Sequence, residues 1–448
     1  MKQPQWLNRL RLGKQWGYET LFKNQDLRPQ GKVGLLIGEM GMPEEYSFDF
    51  YNRYIRHVFE YTLPSFLQPV VLADHGIGLI DPENPLAREP FQPRQLIDAH
   101  GSFTNKAGIP YVQCPISWQP PRVPRNPWDH GMFLYRQEGK GGAPDICQKT
   151  GAKVCGWYYG HLIPEKKVAW KAQNQLLYDE ARQILQDQYP GLETRLTYYT
   201  FEESLQQQIE SLLAAGCQTI LYQCISNPVY SDFEEYQSTL PLLYQLVNGR
   251  AKIICVPQLG NQPALRQAYV HMLRDQLATL PAEASVYVIL SRHGHPFKKE
   301  TQDTLAKLYR EPLEAEIRAL LQTRSARWGL TWSDDEYADE YWNPKRDKKE
   351  TYSAYRFAIE ENFDYAIELP TEFLAENTDL MIFHAMKKFN AFEDYDRNAP
   401  ISYPDWEKPL VRRYHSANTT GIYTGCPVGP YRPHVVQAIV DSISSILN

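Results

Sequence analysis

The chain reads as an α/β protein made of two similar doubly wound lobes, each built on a small parallel sheet. Three observations predict this. Short apolar runs recur, among them KVGLLIGEM, AKIICV and VYVIL, and each stops at a turn-forming segment. Helix-patterned segments separate these runs, as parallel strands require, because a crossover must carry the chain back across the sheet. The length of 448 residues exceeds what one compact core usually holds, so lobes spanning 1–260 and 261–448 are expected.

The first strand is read at 32–40, followed by the turn Gly41-Met42-Pro43 and a helix over 44–62, where Phe48, Tyr51, Ile55, Val58 and Phe59 recur at helical spacing. From about 64 to 164 the chain turns irregular and rich in Pro, Gly and Trp, which predicts a long insertion in the N-terminal lobe. A helix follows over 166–188, with Leu176, Leu177, Ala181 and Leu185 as its apolar stripe. Alternation then continues: strand 195–199, helix 201–215, strand 219–225, helix 233–247, strand 251–256 and helix 263–280.

The C-terminal lobe opens on VYVIL at 286–290, and Ser291-Arg292-His293-Gly294-His295-Pro296 after it reads as a loop. A helix spans 299–322. The acidic, aromatic stretch 332–342 reads as an insert with a solvated face, with collection of a divalent cation as the alternative. The last strand is read at 363–369, a helix runs from its loop to about 389, and another closes the chain over 433–447.

Composition narrows the function classes. A net charge of −6 without a basic block argues against nucleic acid or an anionic membrane as the main partner. The N-terminal segment MKQPQWLNRLRLGKQW lacks an apolar export core, and no run is long enough to span a bilayer, so the cytoplasm is expected. Seven scattered cysteines form no disulfide framework and read as reduced thiols.

Ligands of open α/β sheets bind beyond the carboxyl ends of the strands, so His293 at such an end is a candidate base. The alternative is a histidine that merely caps the strand. His295, two residues on, reads as a solvent-facing hydrogen bonder in preference to a second metal ligand.

Four strand-end loops, taken together, resemble the ferrochelatase family of class II tetrapyrrole chelatases. Met40-Gly41-Met42-Pro43 is similar to that family's first turn, and Ser291-Arg292-His293-Gly294-His295-Pro296 to its catalytic histidine loop. The run from Pro370 through Phe373, Glu376 and Asn377 to Asp379 resembles its acidic loop, with Asn377 where the family has histidine. Pro228-Val229-Tyr230-Ser231 and the span from Arg413 to Asn418 match more loosely. The resemblance implies a chelatase-like fold and insertion of a divalent metal, Fe2+ first, into a porphyrin.

In that reading His293 is proton acceptor or metal ligand, Asp379 a ligand or relay, and Glu376 part of the acidic relay. Met40, Tyr230, Ser231, Phe373 and Arg292 would contact the ring. An imidazole near its ordinary pKa suits the removal of pyrrole N–H protons, and a carboxylate relay can carry them away. No tightly bound cofactor is expected, because the metal is a substrate. The alternatives are a chelatase for another metal or ring of sirohydrochlorin type, and a non-catalytic tetrapyrrole-binding protein on the same fold.

Overall fold

The computed structural model describes residues 25–45, 47, 102–104, 110–113, 134–136, 163–199, 202–225, 239–292, 300–334, 351–377, 380, 388–395 and 399–448. The helix read at 44–62 does not begin at its expected start, where Glu45 makes an antiparallel bridge with Lys167; residues 48–62 and the loops carrying Tyr230, Ser231, His293 and Asp379 lie outside the described residues.

The first sheet has four parallel strands in the order β5-β1-β6-β7: β1 (Val33–Glu39), β5 (Glu193–Tyr198), β6 (Thr219–Cys224) and β7 (Lys252–Cys255). β1 and β6 are buried along almost their whole length, which is why they read as continuous apolar runs and not as alternating ones. The helices α1 (Trp170–Gln188), α2 (Glu202–Ala214) and α3 (Leu240–Val247) connect this sheet.

The second sheet has five strands in the order β11-β12-β10-β8-β9. They are β8 (Val286–Arg292), β9 (Trp328–Asp334), β10 (Tyr365–Pro370), β11 (Arg412–Ser416) and β12 (Thr419–Tyr423). All neighbours pair in parallel except the edge strand β11, which forms an antiparallel hairpin with β12. The helices α4 (Pro263–Ala278), α5 (Glu300–Leu321), α6 (Thr351–Glu360) and α7 (Arg432–Leu447) complete this half. Every strand of the first sheet precedes residue 260, and every strand of the second follows 261.

Four sequence expectations are corrected here. Ser291 and Arg292 are strand and not loop, because β9 pairs alongside β8 as far as Arg292 opposite Asp334. The start of the acidic insert is β9 itself, whose Trp332 indole donates to Glu314 at 2.8 Å. The strand at β10 is not the last. The span 64–164 holds a small antiparallel sheet of β2 (Ser102–Thr104), β3 (Pro110–Gln113) and β4 (Leu134–Arg136).

One apolar cluster joins the two sheets: Leu35 and Ile37 of β1 belong to the same buried set as Val286, Val288 and Leu290 of β8. The helices α4 and α7 supply Tyr269, Leu273, Val436 and Ile439 to it. A second cluster is aromatic, with Tyr355 of α6, Phe389, Phe392 and Tyr423 packed edge to face. Gly421 on β12 lies against this cluster, and an added Cβ would fall 2.1 Å from the Phe392 ring. Gly421→Ala is therefore expected to cost on the order of 1–3 kcal/mol by overpacking, read as a lower urea midpoint with unchanged slope. Among the described residues no helix is long and apolar enough to cross a membrane.

Candidate functional site

The site is built around the segment Thr371 to Asn377, which leaves the carboxyl end of β10 and is buried at every residue. A buried loop must satisfy its backbone through side chains, because no ladder is available to it. Tyr269 of α4 donates to the Phe373 carbonyl at 3.1 Å, and the Tyr309 hydroxyl of α5 donates to the Thr371 carbonyl. Thr371 donates both its amide, at 2.9 Å, and its hydroxyl, at 3.0 Å, to the Ser291 carbonyl near the end of β8. The Glu376 amide donates to Gln173 Oε1 of α1 at 2.9 Å. The loop is thus fixed from three helices and a neighbouring strand.

Three acids one helical turn apart in number, Glu368, Glu372 and Glu376, are fully buried, and each has a different partner set. Glu368 accepts from Ser291 Oγ at 2.7 Å and from Tyr355 OH at 2.8 Å, and is ion-paired with Lys388, itself 2% exposed. Glu372 pairs with Arg310 through both Nε and Nη2. Glu376 instead accepts from neutral donors, the Cys426 amide at 2.6 Å and Tyr423 OH at 3.1 Å. Burial pushes the Glu376 carboxyl up to about 7, against the pull of those hydrogen bonds and of the more distant Lys388 charge. Gly425 permits this contact: its φ is +72°, and a Cβ there would lie 3.0 Å from Glu376 Oε1 and 2.7 Å from the Leu410 nitrogen.

A fourth buried acid ends β1. Glu39 accepts from the Gly41 amide at 2.8 Å, which fixes the turn that carries Met40, and Asn174 Nδ2 lies 3.4 Å from its other oxygen. Burial pushes the Glu39 carboxyl up to about 8, with Gly41 as the strongest opposing contact. Gln173 and Asn174 are consecutive on α1, so one turn of one helix touches the acids of both sheets. Gln173 also donates to Tyr403 OH at 2.8 Å and to the Trp406 carbonyl at 3.1 Å.

Met40 is 6% exposed at the end of β1, and Phe373 is 3% exposed, packed with Leu380, Cys426 and Val428. Arg292 is half-buried as the last residue of β8. Met40 and Glu376 are brought to one region through α1, and Arg292 follows the Ser291 to which the same loop is bonded. Asn377 accepts the Leu380 amide at 2.8 Å through its side-chain oxygen. His293 and Asp379 are outside the described residues, and among the described residues no group of three or more His, Cys, Asp or Glu could hold a metal.

Sequence reasoning missed Glu39, Glu368, Glu372 and their partners. A signal for two of them was present: a lone Glu inside VGLLIGEM and another inside YAIELP is a charge within an otherwise apolar strand.

No family model matches the chain, and no curated protein does. Among solved structures it is similar to SirB from Bacillus subtilis with Fe3+, at 11% identity and a TM-score of 0.39, over 62% of this chain and 90% of that one. It is also similar to a multi-domain protein from Deinococcus radiodurans, itself described as similar to chelatases with two additional novel domains. That likeness has 11% identity and a TM-score of 0.36, over 62% of this chain and 51% of the other.

Proposed function

We propose that this chain inserts a divalent metal, ferrous iron foremost, into a porphyrin. The observation that supports it most is Glu376: a fully buried carboxyl with a proton affinity near neutrality, in the acidic loop whose sequence resembles that of the chelatases. Metal insertion displaces two protons from the pyrrole nitrogens, and each needs an acceptor that is ionised or neutral-basic at working pH. His293 takes the first proton, and Asp379 passes the second towards Glu376, three residues earlier in the same loop. In the alternative assignment His293 and Asp379 are ligands to the incoming metal, an imidazole and carboxylate set that suits Fe2+, Zn2+ or Co2+. Met40, Tyr230, Ser231 and Phe373 would line the ring, and Arg292 would face its anionic substituents.

A second reading, tetrapyrrole binding without insertion, is favoured by Asn377, whose side-chain oxygen accepts the Leu380 amide and supplies no base. The two readings separate in one absorbance assay of the purified chain against several porphyrins and divalent metals. Insertion predicts a metalloporphyrin spectrum that grows with time and an Asp379→Asn variant slowed by at least tenfold. A stable porphyrin complex that never acquires metal supports the second reading and overturns the first.

A further inference from the structure

Outside this site, His271 of α4 and His434 of α7 face each other with Nδ1 and Nε2 2.9 Å apart and their rings edge to face at 4.6 Å. Both are half-buried. One turn further along α4, Asp275 accepts the Tyr431 hydroxyl at 2.8 Å, so the two segments are tied at a second point and the imidazoles are held in register. Burial and the neighbouring His271 both hold the His434 imidazole below its ordinary range, which keeps the neutral, metal-ligating form available.

We infer that His271 and His434 form a surface binding site for a divalent transition metal of the Zn2+, Ni2+ or Cu2+ type, joining α4 to α7. In the neutral pair one imidazole donates its N–H to the other; when a metal binds, the donor ring's proton moves through solvent to its other nitrogen, so both facing nitrogens offer lone pairs to an ion seated beside the line between them. With Zn–N bonds of 2.0–2.1 Å, two ligands of a tetrahedral ion sit about 3.3 Å apart, so the observed pair needs to open by only about 0.4 Å. Imidazole suits these metals, whereas Mg2+ and Ca2+ prefer oxygen. Among the described residues no third His, Cys, Asp or Glu completes a cluster, so water fills the remaining positions and the affinity is modest. Because α7 packs along α4, metal here would stabilise the packing of these two helices of the C-terminal half.

Calorimetric titration of the full chain with Zn2+ tests this, with Mg2+ as the control. Wild type is expected to bind one more Zn2+ than His271→Ala, and His434→Ala should lose the same ion. The difference must persist in a His293→Ala background, which separates this site from the proposed cleft. In the His293→Ala background Zn2+ should raise the thermal unfolding midpoint by several degrees, and by clearly less once His271 or His434 is also replaced. Should an alanine variant fail to fold, His271→Gln and His434→Gln carry the same comparison. Equal stoichiometry in wild type and the folded variants, or an equal thermal shift, would overturn the inference.

Discussion

Replacing Lys388 with Met is expected to destabilise the fold by about 3–5 kcal/mol, the usual cost of removing one partner from a buried ion pair. The pair sits deep: Lys388 is 2% exposed and Glu368 is fully buried in the centre of the second sheet. Without Lys388 the Glu368 carboxylate loses its cationic partner, and neutral donors such as the hydroxyls of Ser291 and Tyr355 cannot offset its desolvation. Lys388 also lies 4.9 Å from the Tyr423 ring centroid, so part of the loss is a cation–π contact. The double variant Lys388→Met with Glu368→Gln should recover most of the stability, since the uncompensated charge is gone. Urea denaturation of the two single variants and the double variant measures the coupling; additive losses would show that the two residues do not act as a pair.

Glu376→Gln is expected to change the pH dependence of stability and of turnover together. Folding raises the carboxyl from 4.5 to about 7, so the folded state holds this proton more tightly than the unfolded chain does. Its contribution is fully present below pH 4.5 and is lost as pH rises through about 7, a penalty of roughly 3 kcal/mol on the alkaline side. Glu39, raised to about 8, loses its contribution over a window that extends further upward. Gln keeps the acceptor for the Cys426 amide but has nothing to ionise, so Glu376→Gln should flatten the decline between about pH 4.5 and 7, and Glu39→Gln should flatten it between about 4.5 and 8, with the stretch from 7 to 8 governed by Glu39 alone. Turnover should rise through about pH 7 in wild type as Glu376 becomes able to accept a proton, and the variant should lack that limb. An unchanged stability profile in Glu376→Gln would show that folding does not shift the proton affinity of this carboxyl.

The interior strands of both sheets were legible because parallel strands buried on both faces leave continuous apolar runs. β9 was not: WGLTWSD is an edge strand with a single partner and leads straight into acids, so it carries the composition of a surface insert. The β11–β12 hairpin was hidden for a related reason, since β11 is half-exposed along its length and reads RRYHS. At the candidate site, Met40, Arg292, Phe373 and Glu376 were singled out by the resemblance of their strand-end loops to those of the chelatases. Their depth was not readable, because it depends on Tyr269, Tyr309, Gln173 and Cys426, each tens of residues or more away in sequence. Glu39 and Glu368 show the same limit: a charge in an apolar run marks a buried acid, but its partner is chosen by the fold.

The central claim, proton removal coupled to metal insertion, is tested most directly by following metalloporphyrin absorbance with ferrous iron supplied anaerobically. Wild type, His293→Ala and Glu376→Gln would be compared at pH 8, each shown to be folded by circular dichroism. The expected result is steady metalloporphyrin formation by wild type, none above the uncatalysed rate in His293→Ala, and at least a tenfold loss in Glu376→Gln. Turnover of wild-type magnitude in His293→Ala would contradict it, as would a wild-type chain that leaves every porphyrin and metal pair unchanged.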